Sequence, residues 1–313
     1  MTIIQKITDL TNCYITDLNL GTNPSIAFFN DHFYCLIRVL SPFSQSDKFS
    51  YTSKNWLFQL NNDLTVTQKH FLDDSFIRRD HPECKNGLED GRLFVWKKQL
   101  WGLFSGYSYH DNKHSNTMVL CLFIDNKIDR SFLIHSPFDE FREKNWMPLV
   151  IKEDLYFVYS IEPLIIFKFL DNKLINVNDS VSANTIHTKK YPFSGSSPFI
   201  CINNEYLAVV HKRHSLNPLY KLYLKIKKYI FSFVNISTDY NVKKIQFLHY
   251  FVLLDSSFDK ITISKPFYFE EIGVEFAAGI SILDNKIYLS YGVLDKLSKI
   301  IVLNLNPIKK LFY

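Results

Sequence analysis

Charged residues gather where apolar segments of this chain begin or end. One segment opens with Gly87-Leu88-Glu89-Asp90-Gly91-Arg92, another with Glu143-Lys144-Asn145-Trp146-Met147-Pro148, and a third with Glu275-Phe276. Arg38 and His211 end apolar runs, and Tyr291-Gly292 is followed by Asp295. Carboxyl groups beside cations suit glycosyl transfer, because the bridging oxygen of a glycosidic bond must gain or lose a proton. Arg, Lys and His nearby can hold an anionic co-substrate, either phosphate or the diphosphate of a sugar nucleotide. Asp90, Glu89, Glu143 and Glu275 are the candidate catalytic carboxylates. Arg38, Arg92, Lys144, Asn145, His211, Tyr291 and Asp295 are the candidates for holding substrate or anion. Each has a plainer reading. Glu-Asp before Arg is a common surface turn or ion pair, Glu143-Lys144 can solvate a loop, and Arg38 can be a strand-end cation. His211 can be a satisfied structural histidine, and Glu162 can simply end a strand before Pro163.

Only a fold that converges these segments makes one site of them. Five segments read as strand, short polar turn, strand, with turns at Asn30-Asp31, Lys97-Lys98, Lys152 to Asp154, Asn203-Asn204 and Asp284-Asn285. β-Branched and aromatic runs broken by two or three Asn, Asp or Lys residues are hairpin signals. A further strand follows each: NWLFQLN, TMVLCLFID, LIIFKFLD, HYFVLLD and KIIVLNL. The units start near residues 25, 91, 148, 198 and 278, a spacing that suits four-stranded propeller blades with loop insertions. The expectation is an all-β chain forming one five-bladed β-propeller domain over residues 1–313, the alternatives being a pair of β-sandwiches or another blade number. A short helix is expected around Phe138 to Glu143. The stretch 212–244, with aromatics between lysines, reads as an insertion in the fourth blade. It suits a strand pair with a solvated lysine face, or a basic amphipathic surface for an anionic membrane.

The 313 residues carry 36 Lys and Arg against 31 Asp and Glu, a net charge of +5, without the dense basic stripe of a nucleic-acid binder. Apolar residues at 47% and charged residues at 21% exclude a disordered chain. The five cysteines (Cys13, Cys35, Cys84, Cys121 and Cys201) are odd in number with no CxxC pair, which suggests a reducing compartment and no zinc site. MTIIQKITDL lacks the apolar stretch of a secretory signal, and no run reaches the roughly 18 apolar residues of a membrane span. The expected setting is cytoplasmic, at the inner face of a membrane if 212–244 binds lipid.

The segments GLEDGRLF, EKNWMP with YFVYSIEP, SGSSPFI with YLAVVH, and ISKPFYF with GVEFAAGISILDNKIYLSYGVLD occur in an order that resembles one family. They look like the five-bladed propeller proteins related to the β-mannoside phosphorylases (glycoside hydrolase family 130), and more distantly the arabinanase and invertase clan. Glycosyltransferase-like members share that fold. The resemblance runs from about Asn23 to Leu305. It implies that Asp90 is the general acid of a Glu-Asp-Pro-Arg type turn and Arg92 its cation. It also implies that Lys144 and His211 belong to the anion-binding surroundings, and that Glu275 and Tyr291 border the site. This chain departs from the pattern in three places. Gly91 stands where Pro is usual, Phe193-Ser194 offer no Arg before the Gly-rich turn, and a basic insertion follows His211.

The reading that follows is a glycosyltransferase of surface-glycan synthesis, using a nucleotide-sugar donor and a glycan acceptor, with no cofactor and no obligatory metal. A phosphorylase or hydrolase of the same superfamily is the alternative, with phosphate or a sugar phosphate as partner. A non-catalytic propeller binding glycan or protein is the third.

Overall fold

Apolar residues run through most strands without a clean two-residue alternation, and the packing explains why. A computed structural model describes residues 4–11, 21–42, 51–110, 113–138, 140–177, 192–215, 245–270 and 273–312. The strands are β1 (Ile4–Asp9), β2 (Gly21–Phe29), β3 (His32–Pro42), β4 (Tyr51–Leu60), β5 (Val66–Leu72), β6 (Leu88–Trp96), β7 (Gln99–His110), β8 (Lys113–Ile124), β9 (Lys127–Ile134), β10 (Met147–Ile151), β11 (Asp154–Ile161) and β12 (Leu164–Leu170). They continue with β13 (Lys173–Asn176), β14 (Ser194–Gly195), β15 (Ile200–Ile202), β16 (Glu205–Ser215), β17 (Ile245–Leu254), β18 (Ile261–Ile263), β19 (Glu275–Leu283), β20 (Lys286–Val293) and β21 (Leu297–Asn304). These form five antiparallel sheets, β2 to β5, β6 to β9, β10 to β13, β14 to β18, and β19 to β21 with β1. The fold is the expected five-bladed β-propeller.

Five hydrophobic clusters fill the wedges between successive blades. Leu36, Leu93 and Phe104 join blades 1 and 2, and Trp101, Trp146 and Phe157 join blades 2 and 3. Leu149, Phe199 and Val252 join blades 3 and 4, Leu207, Phe251 and Leu289 join blades 4 and 5, and Ile26, Phe33, Tyr288 and Ile300 close the ring. A blade is therefore buried on both faces. In FYCLIRVL, Cys35 and Ile37 face blade 5 while Leu36 faces blade 2. Strands buried on both sides read as continuous apolar runs rather than as alternation.

Closure also uses a strand that the hairpin pattern did not reveal. β1 pairs with β21, Asp9 opposite Lys299, so the N-terminal segment supplies the outer strand of the last blade. Around the axis the inner strands are tied by small side chains. Ser25 Oγ donates to the Ala278 carbonyl at 3.0 Å and accepts the Leu93 N–H at 2.8 Å, linking blades 5, 1 and 2. Gly279 lets β19 approach this closely, since a Cβ there would lie 2.1 Å from the Ile26 nitrogen.

Two expectations need amendment. Of the stretch Phe138 to Glu143, the described residues are not helical, because their backbone is engaged by β8: Asn116 N–H donates to the Phe141 carbonyl, and Glu143 N–H to the Asn116 carbonyl. Among the described residues the α-helices are instead α1 (Ser75–Asp80) and α2 (Leu305–Lys309). Of the basic stretch 212–244, residues 216–244 lie outside the described residues. β16 and β17 pair up to Ser215 opposite Ile245, so that stretch connects two hydrogen-bonded strands. Among the described residues, no helix is long and apolar enough to cross a membrane.

Candidate active site

The inner strands of three blades are broken at the same place. Their pairing with the second strand skips between Thr22 and Ser25, between Glu89 and Arg92, and between Phe276 and Gly279. At two of these bulges a non-glycine residue takes the left-handed conformation: Asn23 at φ 52° and Asp90 at φ 47°. A bulge re-aims side chains out of the strand's alternation, and left-handed non-glycine residues concentrate at functional sites. Here it brings the two side chains together, with Asn23 Nδ2 donating to Asp90 Oδ1 at 2.7 Å. Gly91 completes the bulge. A Cβ on it would lie 2.3 Å from Leu36 Cδ2 and 2.5 Å from Phe104 Cε1. The space a proline ring would need is thus taken by two core side chains.

Around Asp90 the charges interlock. Arg38 Nη1 lies 3.0 Å from Asp90 Oδ1 and 3.3 Å from Glu89 Oε1. Glu89 is fully buried and also accepts from Lys144 Nζ at 2.7 Å and from the Tyr51 hydroxyl at 2.7 Å. Asn116 Nδ2 stands 3.5 Å from Oε2, the oxygen that Lys144 meets. Glu89 therefore orients the two cations and has its own oxygens occupied. Asp90 is the more accessible carboxylate of the pair, its side chain 16% exposed against 1% for Glu89. Burial opposes ionisation of Asp90. Arg38, then Lys144, the Asn23 amide and Arg92 outweigh it and hold its pKa at about 2. Asp90 is a carboxylate at neutral pH. Burial, with Glu89 beside it, pushes the Tyr51 hydroxyl well above its usual value, so it stays a donor.

Arg92 is buried and spends its fork on backbone carbonyls and the Asn145 side chain. Nε donates to the Ser196 carbonyl at 2.7 Å, Nη1 to the Asp90 carbonyl at 2.8 Å, and Nη2 to Asn145 Oδ1 at 3.2 Å. It fixes the Asp90 bulge and ties blade 2 to blades 3 and 4. Burial lowers its pKa to about 10 against the pull of Asp90. Asn145, at φ 66°, is the left-handed residue before the inner strand of blade 3. Ser196 Oγ and His211 Nδ1 are 2.8 Å apart. His211 packs between Phe247 and the edge of Phe276, with His249 directly across the strand pair. Burial, then His249 and Arg92, drive the His211 pKa to about 3, so its imidazole is neutral.

The structure thus links Arg38, Glu89, Asp90, Arg92, Lys144, Asn145 and His211 through one chain of contacts. The other four candidates occupy different places. Glu143 turns away from the adjacent Lys144 and accepts from Trp146 Nε1 at 2.9 Å. Glu275, fully buried, accepts the N–H groups of Phe269 and Glu270, each at 2.9 Å, and so clamps the segment before β19. Tyr291 donates to the Glu270 carboxylate and stacks on Phe269 with centroids 4.3 Å apart. Asp295 sits half-buried in the β20–β21 turn at φ 56°. Asn23, Tyr51, Asn116, Ser196 and His249 were not among the candidates. Asn23 carried a readable signal, since Asn-Pro-Ser holds in unit one the place of Asp-Gly-Arg in unit two. Among the described residues, no three His, Cys, Asp or Glu side chains are grouped as a metal ion requires.

No protein-family model matches the chain, and no curated protein matches its sequence. Solved structures do match. β-1,2-Mannobiose phosphorylase from Listeria innocua superposes with a TM-score of 0.61 at 13% identity, over 100% of this chain and 99% of that one. A glycosyl hydrolase from Bacteroides ovatus gives 0.58 at 13%, over 92% and 85%. A GDP-Man-dependent mannosyltransferase from Leishmania mexicana gives 0.54 at 15%, over 96% and 91%. At such identities the likeness is one of fold, and the propeller this chain forms is the one on which a mannoside phosphorylase, a glycosyl hydrolase and a mannosyltransferase are built.

Proposed function

We propose that the chain is a carbohydrate-active enzyme that transfers a glycosyl group from a phosphate-linked donor, a nucleotide sugar, to a hydroxyl of a glycan acceptor. One observation carries the choice: Asp90, aimed by its bulge, is held ionised by Arg38 and Asn23. In transfer from a nucleotide sugar, the bond from the anomeric carbon to phosphate breaks, and the diphosphate leaves with the electron pair as a stable anion. The acceptor oxygen forms the new bond and must lose its proton, which an ionised carboxylate can take. Phosphorolysis asks the reverse. Phosphate attacks without help, while the departing sugar oxygen must gain a proton, and Arg38 and Asn23 favour the unprotonated form of Asp90. Arg38 and Lys144 supply the positive charge that a leaving diphosphate favours.

GDP-mannose is the first donor to try, because the Leishmania neighbour uses it on the same fold. The test is a thermal-shift screen with phosphate, nucleoside diphosphates and nucleotide sugars, followed by assay of nucleoside diphosphate release. A ligand of the native state raises Tm by mass action. Stabilisation by a nucleotide sugar, with release that Asp90→Asn abolishes, is the expected result. Stabilisation by phosphate alone, with phosphate-dependent cleavage of a mannobiose, would replace this reading by a phosphorylase. Binding of a glycan that Asp90→Asn leaves untouched, with no turnover, would favour a binding module.

A further inference from the structure

Of the donors that reach the buried Glu89, one leads to the surface. Tyr51 Oη, on β4, donates to Glu89 Oε1 at 2.7 Å. The Tyr51 ring stacks on Tyr107 of β7, with centroids 5.1 Å apart and planes 15° from parallel, and the two hydroxyls are hydrogen-bonded. Tyr107 is buried, and its Oη lies 2.8 Å from His114 Nδ1. His114 is exposed at the start of β8, its ring 19° from parallel with Tyr107. Tyr109, directly across the strand pair, packs on it with centroids 4.9 Å apart. A stack of Tyr51, Tyr107 and His114 thus joins a buried carboxylate to an imidazole in solvent.

The hydrogens of this line can be counted. It has three contacts, Tyr51 with Glu89, Tyr107 with Tyr51, and His114 with Tyr107, and each needs one hydrogen. The carboxylate brings none and each tyrosine brings one. Burial, then Glu89, raises the pKa of both hydroxyls, so both keep their protons at neutral pH. Tyr51 spends its hydrogen on Glu89, and its oxygen is left to accept. Tyr107 must then turn its hydrogen towards Tyr51. The Tyr107 oxygen is left as an acceptor in its turn, and the third hydrogen has to come from Nδ1 of His114. With Nδ1 bare, one contact sets lone pair against lone pair. With Nδ1 protonated, every donor points towards Glu89, and hydrogen bonds aligned in this way strengthen one another. The end of the line matters to the site. Tyr51 pins Oε1 beside Arg38, 3.3 Å away, and so leaves Oε2 turned to Lys144 at 2.7 Å.

We propose that His114 is a positioning residue of the site: it carries its proton on Nδ1 and, through Tyr107 and Tyr51, holds the Glu89 carboxylate in the rotation that sets Arg38 and Lys144. The use of that alignment for a phosphate-bearing donor rests on the transfer reading above; the place of the proton on His114 does not.

The experiment is nitrogen NMR of the full chain with labelled histidine, in mildly alkaline buffer where free imidazole is neutral. Protonated and bare ring nitrogens resonate far apart, and His114 is assigned by the signal that His114→Asn removes. Wild type is expected to show His114 protonated on Nδ1. Tyr51→Phe cuts the line at Glu89 and frees the Tyr107 hydrogen to turn to the imidazole, so the His114 proton should move to Nε2. Positioning is read by titrating GDP-mannose. His114→Leu, at an exposed position, is expected to weaken its binding about three- to tenfold, the effect of one net hydrogen bond. His114→Asn, whose NH2 can stand where Nδ1–H stood, is expected to restore it. A wild-type ring protonated on Nε2, or an Nδ1 proton indifferent to Tyr51→Phe, overturns the proposal. So does GDP-mannose binding that His114→Leu leaves unchanged. If GDP-mannose fails to bind even the wild type, the transfer reading loses its first donor, and the tautomer alone decides whether His114 holds Glu89.

Discussion

Arg38 Nη1 sits 3.0 Å from Asp90 Oδ1, with the arginine side chain 10% exposed and the aspartate 16%. This contact decides which proton form of Asp90 the protein presents. It also shields the repulsion between Asp90 and its neighbour Glu89, 3.3 Å from the same nitrogen. Replacing Arg38 by Met removes the shared cation. The fully buried Glu89 and the partly exposed Asp90 then face each other, and breaking such a buried arrangement costs about 3–5 kcal/mol. The Asp90 pKa, about 2 in the native chain, lies below its unfolded value of about 3.9. Its contribution to stability is therefore present above pH 4 and lost as pH falls towards 2. In Arg38→Met the pKa rises, and the acid limb of kcat/KM for nucleoside diphosphate release should move up by a pH unit or more. An unmoved limb would mean that Asp90 is not the titrating base.

Glu275 tests the division between chemistry and scaffold. Both its oxygens accept backbone N–H groups, from Phe269 and Glu270. Gln keeps one acceptor and turns an NH2 towards the other N–H, leaving a buried donor unpaired at about 1–3 kcal/mol. Glu275→Gln should lower Tm and leave turnover of the folded protein within a few-fold of wild type. A fall in kcat of a thousandfold with unchanged Tm would instead make Glu275 a catalytic residue.

The contrast between these residues shows what a sequence can reveal here. Blade number was legible because each hairpin turn carries its own local signal. Asn30-Asp31, Asn203-Asn204 and Asp284-Asn285 all take positive φ at both residues, the geometry of tight hairpins, and even Lys97-Lys98 conforms. Glu89-Asp90-Gly91-Arg92 was legible as chemistry because its charges are contiguous. The direction of a side chain was not. Glu143 and Lys144 are neighbours that point to different places, and Arg92 reads as an anion-binding cation while its donors meet the carbonyls of Asp90 and Ser196 and the Asn145 amide oxygen. Such roles depend on which blade stands opposite, a contact between residues such as Arg92 and Ser196 that no local pattern encodes. β1 escaped for the same reason, since its partner β21 lies at the far end of the chain.

Gly91 is required by packing as well as by conformation. In Gly91→Ala the new Cβ meets Leu36 and the buried Phe104 ring. Overpacking of this kind costs roughly 1–3 kcal/mol and shifts the backbone that aims Asp90. Thermal melts should show the loss, with turnover falling in parallel. Phe104→Ala opens the space, so the double variant Gly91→Ala with Phe104→Ala should lose less stability than the sum of the two single changes. Strict additivity would show that Phe104 does not define the bulge.

His249 is fully buried against Phe267 and Phe269, with the Glu275 backbone beside its ring. Burial lowers its pKa to about 3, while an unfolded histidine titrates near 6.5. Between these values the unfolded chain holds a proton that the folded one refuses. The stabilising effect of keeping the ring neutral is complete above about pH 6.5 and is lost as pH falls towards 3, at up to about 1.4 kcal/mol per pH unit for each such histidine. His211, lowered to about 3 for the same first reason, adds a second contribution of the same sign. His249→Phe removes one of the two and places a ring among rings. Urea unfolding of wild type and variant between pH 6 and 4 should give the variant the shallower dependence on pH. At pH 7 the two should differ little, because the interaction lost with the Glu275 backbone is offset by the smaller cost of burying an apolar ring. Parallel stability curves across that range would show that His249 is protonated, or solvated, in the folded chain.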